Sequence, residues 1–549
     1  MRLSFIRLVR TILLLTFPFL LTPNVLEAQE QPDASHAGQD DVVKLSPAEL
    51  AAKIDLLFEK SWSDSEIIPA DRATDAEYLR RIYLDLAGRI PAVSEARAFL
   101  SDSNPDKRVA LVSQLLDSPS SVRNMTTVWR NSLIPQASSQ PEFRGLIPGF
   151  EAWLWKHISE NTPYDVIVRE IITTPVGEAN TTGGVLTAAS SPEAFYVVRE
   201  LKPENLATGT SRAFLGVRLD CAQCHDHPFD RWKQHQFWSM AAFYSGFAQP
   251  VEGSAPVMAM NVAEKKFARE IQIPSTGQIV PAIFLSGQTP AWSDQESTRE
   301  VLARWVTSPD NPWFAKMAAN RVWGQFMGQA MVQPMDDFSD ANPPSHPEVL
   351  DLLAQQFVLH NFDLQYLVRA ITATGVYQRS SLQTHDSQSD PSMFARATLR
   401  GLSPEQFFDS LAEAIGFYQP FRSGNPFVLD DDSPRSRFLE LYRSEAESPL
   451  QRETTILQAL AMMNGEFVAS ATSIENSQTL RAVVEFPLMS DEERLDTLFL
   501  ATLTRHPTEA ERTQFTSYIQ EGGASGDRGA AFADIYWVLL NSSEFLLNH

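Results

Sequence analysis

The sequence predicts a mainly α fold: two helical domains joined by a small β element. Three observations carry this expectation. Helix-start signals recur along the chain, and apolar residues follow them at three- and four-residue spacing. One stretch after Pro250 instead shows short apolar runs about a turn.

The first helix is announced by Ser46-Pro47-Ala48-Glu49, a capping box with proline in the first turn, followed by Leu50, Ile54, Leu57 and Phe58. A second runs from about Asp75 and stops at Gly88, with Pro91 beyond it. Asn104-Pro105 precedes Val109, Leu111, Val112, Leu115 and Leu116, and Ser118-Pro119 precedes Val122, Met125, Val128 and Trp129. Phe267 to Ile273 and Ile279 to Leu285, about Pro274-Ser275-Thr276-Gly277, read as two short strands. Helices resume near Ser297; Asn311-Pro312 opens one that Gly328 closes, and Ser345 and Asp363 stand where two more begin. Ser403-Pro404-Glu405-Gln406, Ser490-Asp491-Glu492-Glu493 and Thr508-Glu509-Ala510-Glu511 are further capping boxes.

Arg2, Arg7 and Arg10 precede the apolar run Ile12 to Leu21, and a small residue stands at Ala28, the pattern of a signal peptide over residues 1–28. Residues 29–45 are polar and read as a flexible leader. The expected organisation is then a helical domain over 46–250, a β-containing connector over 251–290 and a second helical domain over 291–549. No second long apolar stretch follows, so no integral membrane span is expected after signal cleavage, and the expected location is periplasmic or secreted. With 45 basic and 68 acidic side chains the formal charge is -23, which opposes a phosphate backbone and argues against nucleic acid as a partner.

The chemistry is concentrated at Cys221-Ala222-Gln223-Cys224-His225, which holds both cysteines of the chain. C-x-x-C-H is the attachment pattern of c-type haem: two thiols one turn apart add to the two vinyl groups, and the adjacent imidazole lies under the iron. On that reading Cys221 and Cys224 are anchors, His225 is the axial ligand, and a redox partner protein is implied. His235, Met240, Met258 and Met260 are the nearest candidates for the opposite axial position. Two other chemistries fit the same residues. The thiols form a small disulfide with His225 as bystander, or the stretch Asp220, Cys221, Cys224, His225, Asp226, His227 and Asp230 supplies the ligands of a zinc or iron site without haem. A hydrolase using Asp226, His227 and Asp230, and a non-redox secreted scaffold, are the corresponding alternatives in function.

The segment Leu219-Asp-Cys-Ala-Gln-Cys-His-Asp-His-Pro-Phe-Asp230 resembles the signature of a planctomycete-type secreted family of unknown function, grouped with cytochrome-like domains. Arg80-Arg-Ile-Tyr-Leu-Asp-Leu-Ala-Gly-Arg-Ile-Pro91 is similar to the same family's N-terminal helix and turn. Asn311-Pro-Trp-Phe, Asn320-Arg-Val-Trp323, Asp336-Asp-Phe338, Pro343-Pro-Ser-His-Pro-Glu348 and Asn541 to His549 resemble the domain that accompanies it. One departure stands beside the motif: Pro228 occupies a place where family members often carry lysine. In the second half, Asp336, Asp337 and His346 offer either an acid/base or metal-ligand set, or capping and helix-start residues.

Overall fold

The helix starts follow from side chains that satisfy their own first-turn N–H groups. Ser46 accepts from the Glu49 N–H while Glu49 Oε2 accepts from the Ser46 N–H at 2.8 Å, and the helix Pro47–Asp64 follows. The same reciprocal pairing opens Thr298–Val306 at Ser297, Pro404–Ile415 at Ser403, Asp491–Leu503 at Ser490 and Glu509–Glu521 at Thr508. Each such cap contributes about 1 kcal/mol, enough to fix where a helix begins. The described residues of this computed structural model are 43–176, 191–228, 230–247, 264–417, 433–442 and 472–549. The signal segment and nearly all of the leader lie outside them, as do Met258 and Met260.

The fold is mainly α, with two small two-stranded sheets among the described residues. One is the expected hairpin, shorter than its apolar runs suggest: Glu270–Gln272 pairs antiparallel with Ile279–Pro281, Ile271 opposite Val280. The other joins Arg400–Gly401 to Leu547–Asn548 at the C-terminus. Asn311 Oδ1 accepts from the N–H groups of Trp313 and Phe314, and the helix Phe314–Met327 ends on Gly328 at φ +77°. His346, one residue beyond the expected Ser345, stands at the N-cap of Pro347–Leu359, because Pro347 takes the first helical place.

The larger apolar cluster draws on Phe58, Trp129, Phe195 and Phe243 and equally on Trp323, Phe357 and Tyr377, so it spans both sides of the hairpin in sequence. A second gathers Phe407, Leu411, Leu498, Phe499, Tyr536 and Phe545, and reaches back to Leu84 and Ile90. Lys44–His549 is accordingly one compact unit.

Arg80 to Pro91 runs between these two clusters. The helix Asp75–Ile82 widens into a π turn, Tyr83–Ala87, and stops at Gly88 with φ +68°. A Cβ there would lie 2.7 Å from Asn124 Oδ1, and Asn124 Nδ2 caps the carbonyl of Asp85 at 2.8 Å, so glycine is required by both angle and space. Buried Arg80 donates to the carbonyls of Thr502 and Phe545, and buried Arg81 to those of Tyr377 and His549. Asp85, equally buried, accepts from Arg400, Tyr377 and Asn548. The segment thus ties the early helices to the C-terminal ones through groups that water would otherwise satisfy.

Candidate functional site around Cys221, Cys224 and His225

The approach to the cysteines is a bend. Helix Pro203–Thr210 widens into a π turn, Ser211–Leu215, which ends at Gly216 with φ +66°. A Cβ on Gly216 would come within 2.5 Å of the Phe338 ring, and the Phe338 N–H donates to the Gly216 carbonyl at 2.8 Å. From there the chain enters a short 3-10 turn, Asp220–Gln223. Leu219 and Ala222 are fully buried and anchor it. Cys221 and Cys224 are both exposed, and both are free thiols. Cys221 stands inside this turn and Cys224 is the residue that ends it.

The turn is held through its carbonyls. Helix Gln234–Ala241 packs beneath it, and Trp238 Nε1 donates to the Gln223 carbonyl at 3.0 Å. Gln234 Nε2 donates to the Cys224 carbonyl at 2.8 Å and reaches Ser275 Oγ of the hairpin turn at 3.2 Å. Exposed His225 turns Nδ1 to the carbonyl of Asp226 at 2.8 Å. The carbonyl can only accept, so Nδ1 is the donor, and in the neutral form of the ring the lone pair falls on Nε2.

The neighbouring carboxylates are engaged in the loop. Asp226 accepts from the Gln234 N–H at 3.0 Å and meets Lys233 Nζ at 3.2 Å; these two, the backbone N–H first, hold its pKa below the usual range. Asp230 Oδ1 accepts from the Arg231 N–H at 2.6 Å. The His227 N–H donates to the Trp232 carbonyl. Among the described residues, no group of three or more His, Cys, Asp or Glu side chains converges to hold a metal ion. Of the candidates for a second axial ligand, His235 is exposed and Met240 is fully buried in the core.

The structure separates the acidic and histidine candidates of the second half. Asp336 Oδ1 accepts from Arg218 at 2.7 Å and Oδ2 from Arg212 at 2.7 Å. Burial opposes ionisation, yet Arg218 and Arg212 outweigh it and hold the Asp336 carboxyl below its ordinary pKa. The Asp337 backbone closes a turn, its N–H donating to the Pro334 carbonyl and its carbonyl accepting from Asn342 Nδ2. His346 lies elsewhere, its ring 4.5 Å from that of Phe58 and 5.6 Å from that of Phe394, with Nδ1 facing Ser345 Oγ. Burial takes its pKa down to about 4. Among the described residues no hydrogen bond joins it to Asp336 or Asp337.

Sequence patterning picked out the thiols and His225 but not Arg212, Arg218, Gln234 or Trp238, which support them. The signal for the arginines was present: Arg212 and Arg218 bracket Gly216 just before the motif.

Residues 53–249, which contain the cysteine turn, match PSCyt2, described as a protein of unknown function (DUF1549). Residues 298–436 and 432–519 match PSD1, also described as a protein of unknown function (DUF1553), and Asp336 falls within the first of these stretches. No curated protein and no solved structure matches the chain. The order of the two matched regions and their extent make this chain a member of the planctomycete-type two-domain family in which PSCyt2 is followed by PSD1.

Proposed function

We propose that this is an exported redox protein in which Cys221 and Cys224 anchor a c-type haem and His225 is its axial ligand. The observation that carries the reading is the state of the three side chains: two free, exposed thiols and an exposed imidazole whose Nδ1, not Nε2, meets a backbone carbonyl. Such a donor set fits the group, because vinyl addition consumes thiols and the iron takes a neutral imidazole nitrogen. When bound, haem supplies a one-electron iron couple.

The chain's own part is to present and orient. Trp238 and Gln234 fix the turn by its carbonyls, which leaves both sulfurs unencumbered. The Asp226 carbonyl holds Nδ1 of His225, and Nε2 is the nitrogen that would take the iron. The place of the motif at the surface suits exchange with a redox partner protein, and the net charge of -23 argues against nucleic acid. Export, to the periplasm or outside, rests on the charged and apolar N-terminal pattern; no helix among the described residues is long and apolar enough to cross a membrane.

The test is the visible spectrum of the full chain, leader included, exported by a host competent in cytochrome maturation. A Soret band that stays with the chain under denaturing conditions, and is lost in Cys221→Ala/Cys224→Ala, is the expected result. A colourless protein with stoichiometric zinc or iron would replace haem by a metal site. A colourless, metal-free product with a Cys221–Cys224 disulfide would reduce the motif to a clip.

A further inference from the structure

We propose that Asp336, in the PSD1 region, is a positioning residue for the cysteine turn of the PSCyt2 region, so that one site is built from both. This rests on the reading that the two thiols are the working groups of the protein, whatever they hold. Asp336 uses both carboxylate oxygens on the segment that leads into the turn. Arg218, three residues before Cys221, donates to Oδ1 from Nε at 3.0 Å and from its terminal nitrogen at 2.7 Å. Arg212, on the other side of the Gly216 bend, donates to Oδ2 from Nε at 2.7 Å. Its terminal nitrogen also lies 3.8 Å from Asp220 Oδ1, next to Cys221.

Two residues further on, Phe338 closes the same bend, by an N–H bond to the Gly216 carbonyl and by its ring against the glycine. Arg321 of the PSD1 region adds a bond to the Ala213 carbonyl at 2.8 Å. The bend is therefore pinned from outside its own region at Arg212, Ala213, Gly216 and Arg218. Without the carboxylate, two guanidiniums would face each other across a left-handed glycine, and like charges would push the bend open. The turn's opposite side stays fixed by Gln234 and Trp238, so release on one side tilts it. A tilt changes the relative exposure of its two sulfurs.

The pairs are partly exposed, with side-chain exposures of 21% for Asp336, 35% for Arg218 and 41% for Arg212. Each is therefore a modest interaction, and the expected change in a ratio is about threefold rather than a hundredfold.

The experiment uses the full chain made without haem attachment and reduced. It is labelled briefly with iodoacetamide at one fixed pH, and the Cys221 to Cys224 labelling ratio is read by peptide mass spectrometry. Asp336→Ala is expected to change the ratio about threefold or more, Asp336→Glu to restore it, and Arg218→Gln to move it the same way as Asp336→Ala. Arg304→Gln, which removes an exposed pair with Glu296, controls for general loss of charge. A ratio unchanged in Asp336→Ala, or changed and not restored by Asp336→Glu at equal unfolding temperature, overturns the proposal. Should Asp336→Ala not fold, Arg218→Gln decides alone, because it breaks one limb only. A colourless protein in the spectral test leaves this ratio standing, and an unmoved ratio leaves the spectrum standing, so the two failures are distinguishable.

Discussion

Replacing Asp85 by asparagine tests whether the chain is held together by the polar network at its centre. The side chain is 2% exposed and faces only donors: Arg400 at 2.8 and 3.0 Å, Tyr377 Oη at 2.9 Å and Asn548 Nδ2 at 2.7 Å. Burial lifts its pKa above the usual range, and Arg400 and Tyr377 counter that only in part, so the carboxylate keeps its charge at a desolvation cost that its donors must offset. Breaking such a pair is another matter. Asparagine keeps the shape, removes the charge and turns one acceptor into a donor, leaving Arg400, 15% exposed, with the carbonyls of Gln325 and Phe326 but without its counter-ion. The expected cost is about 3–5 kcal/mol, read from urea unfolding followed by circular dichroism. The double variant Asp85→Asn/Arg400→Met removes both charges and should be less destabilised than Asp85→Asn alone. If the single variant costs under about 1 kcal/mol, or the double costs the sum of two singles, the network is not what joins the early and late helices.

Two further outcomes follow from the same structure. His346 sits at a pKa of about 4 in the fold against about 6.5 unfolded, so between those values the unfolded chain binds the extra proton. Its contribution to stability is present above pH 6.5 and is lost as pH falls towards 4, amounting to about 2 kcal/mol by pH 5; His346→Phe should flatten the urea midpoint between pH 7 and 5, and a pH dependence parallel to the parent would refute this. Gln234→Ala withdraws donors from the Gln223 and Cys224 carbonyls and from Ser275, so amide exchange over residues 221–228 should rise about tenfold, with Pro47–Asp64 unchanged as internal reference.

What was legible in the sequence was local. A capping box needs four consecutive residues, and those at Ser46, Ser403, Ser490 and Thr508 all open helices where the pattern placed them; the helix expected near Ser297 begins there too, on a box of its own. The π turns at Tyr83–Ala87 and Ser211–Leu215 were not legible, because each widening is supported by a distant partner. Asn124 caps the first, and Phe338 with Asp336 braces the second. The hairpin was placed correctly but overdrawn: its ladder covers Glu270–Gln272 and Ile279–Pro281, and flanking apolar residues such as Ile273 and Leu285 are buried in the main core instead of extending the strands. Asp336 and His346 looked alike in sequence, as polar residues before a helix. Tertiary contacts part them, one gripped by arginines more than a hundred positions earlier (118 for Arg218, 124 for Arg212), the other enclosed by aromatic rings.

The same division explains why the site was half visible. Free cysteine is among the most buried residue types, so a thiol kept for packing alone belongs inside. Here Leu219 and Ala222 take the inward places of the turn, while Cys221, Cys224 and His225 take the outward ones. The groups that hold the turn bind its carbonyls or the bend before it, never the sulfurs. A turn anchored through its backbone presents its side chains, and its reactive atoms keep their geometry only while those anchors hold. The reactive residues are therefore readable from a five-residue pattern. Their geometry depends on a helix folded back from Gln234 and on a carboxylate from the other matched region, neither of which any local window contains.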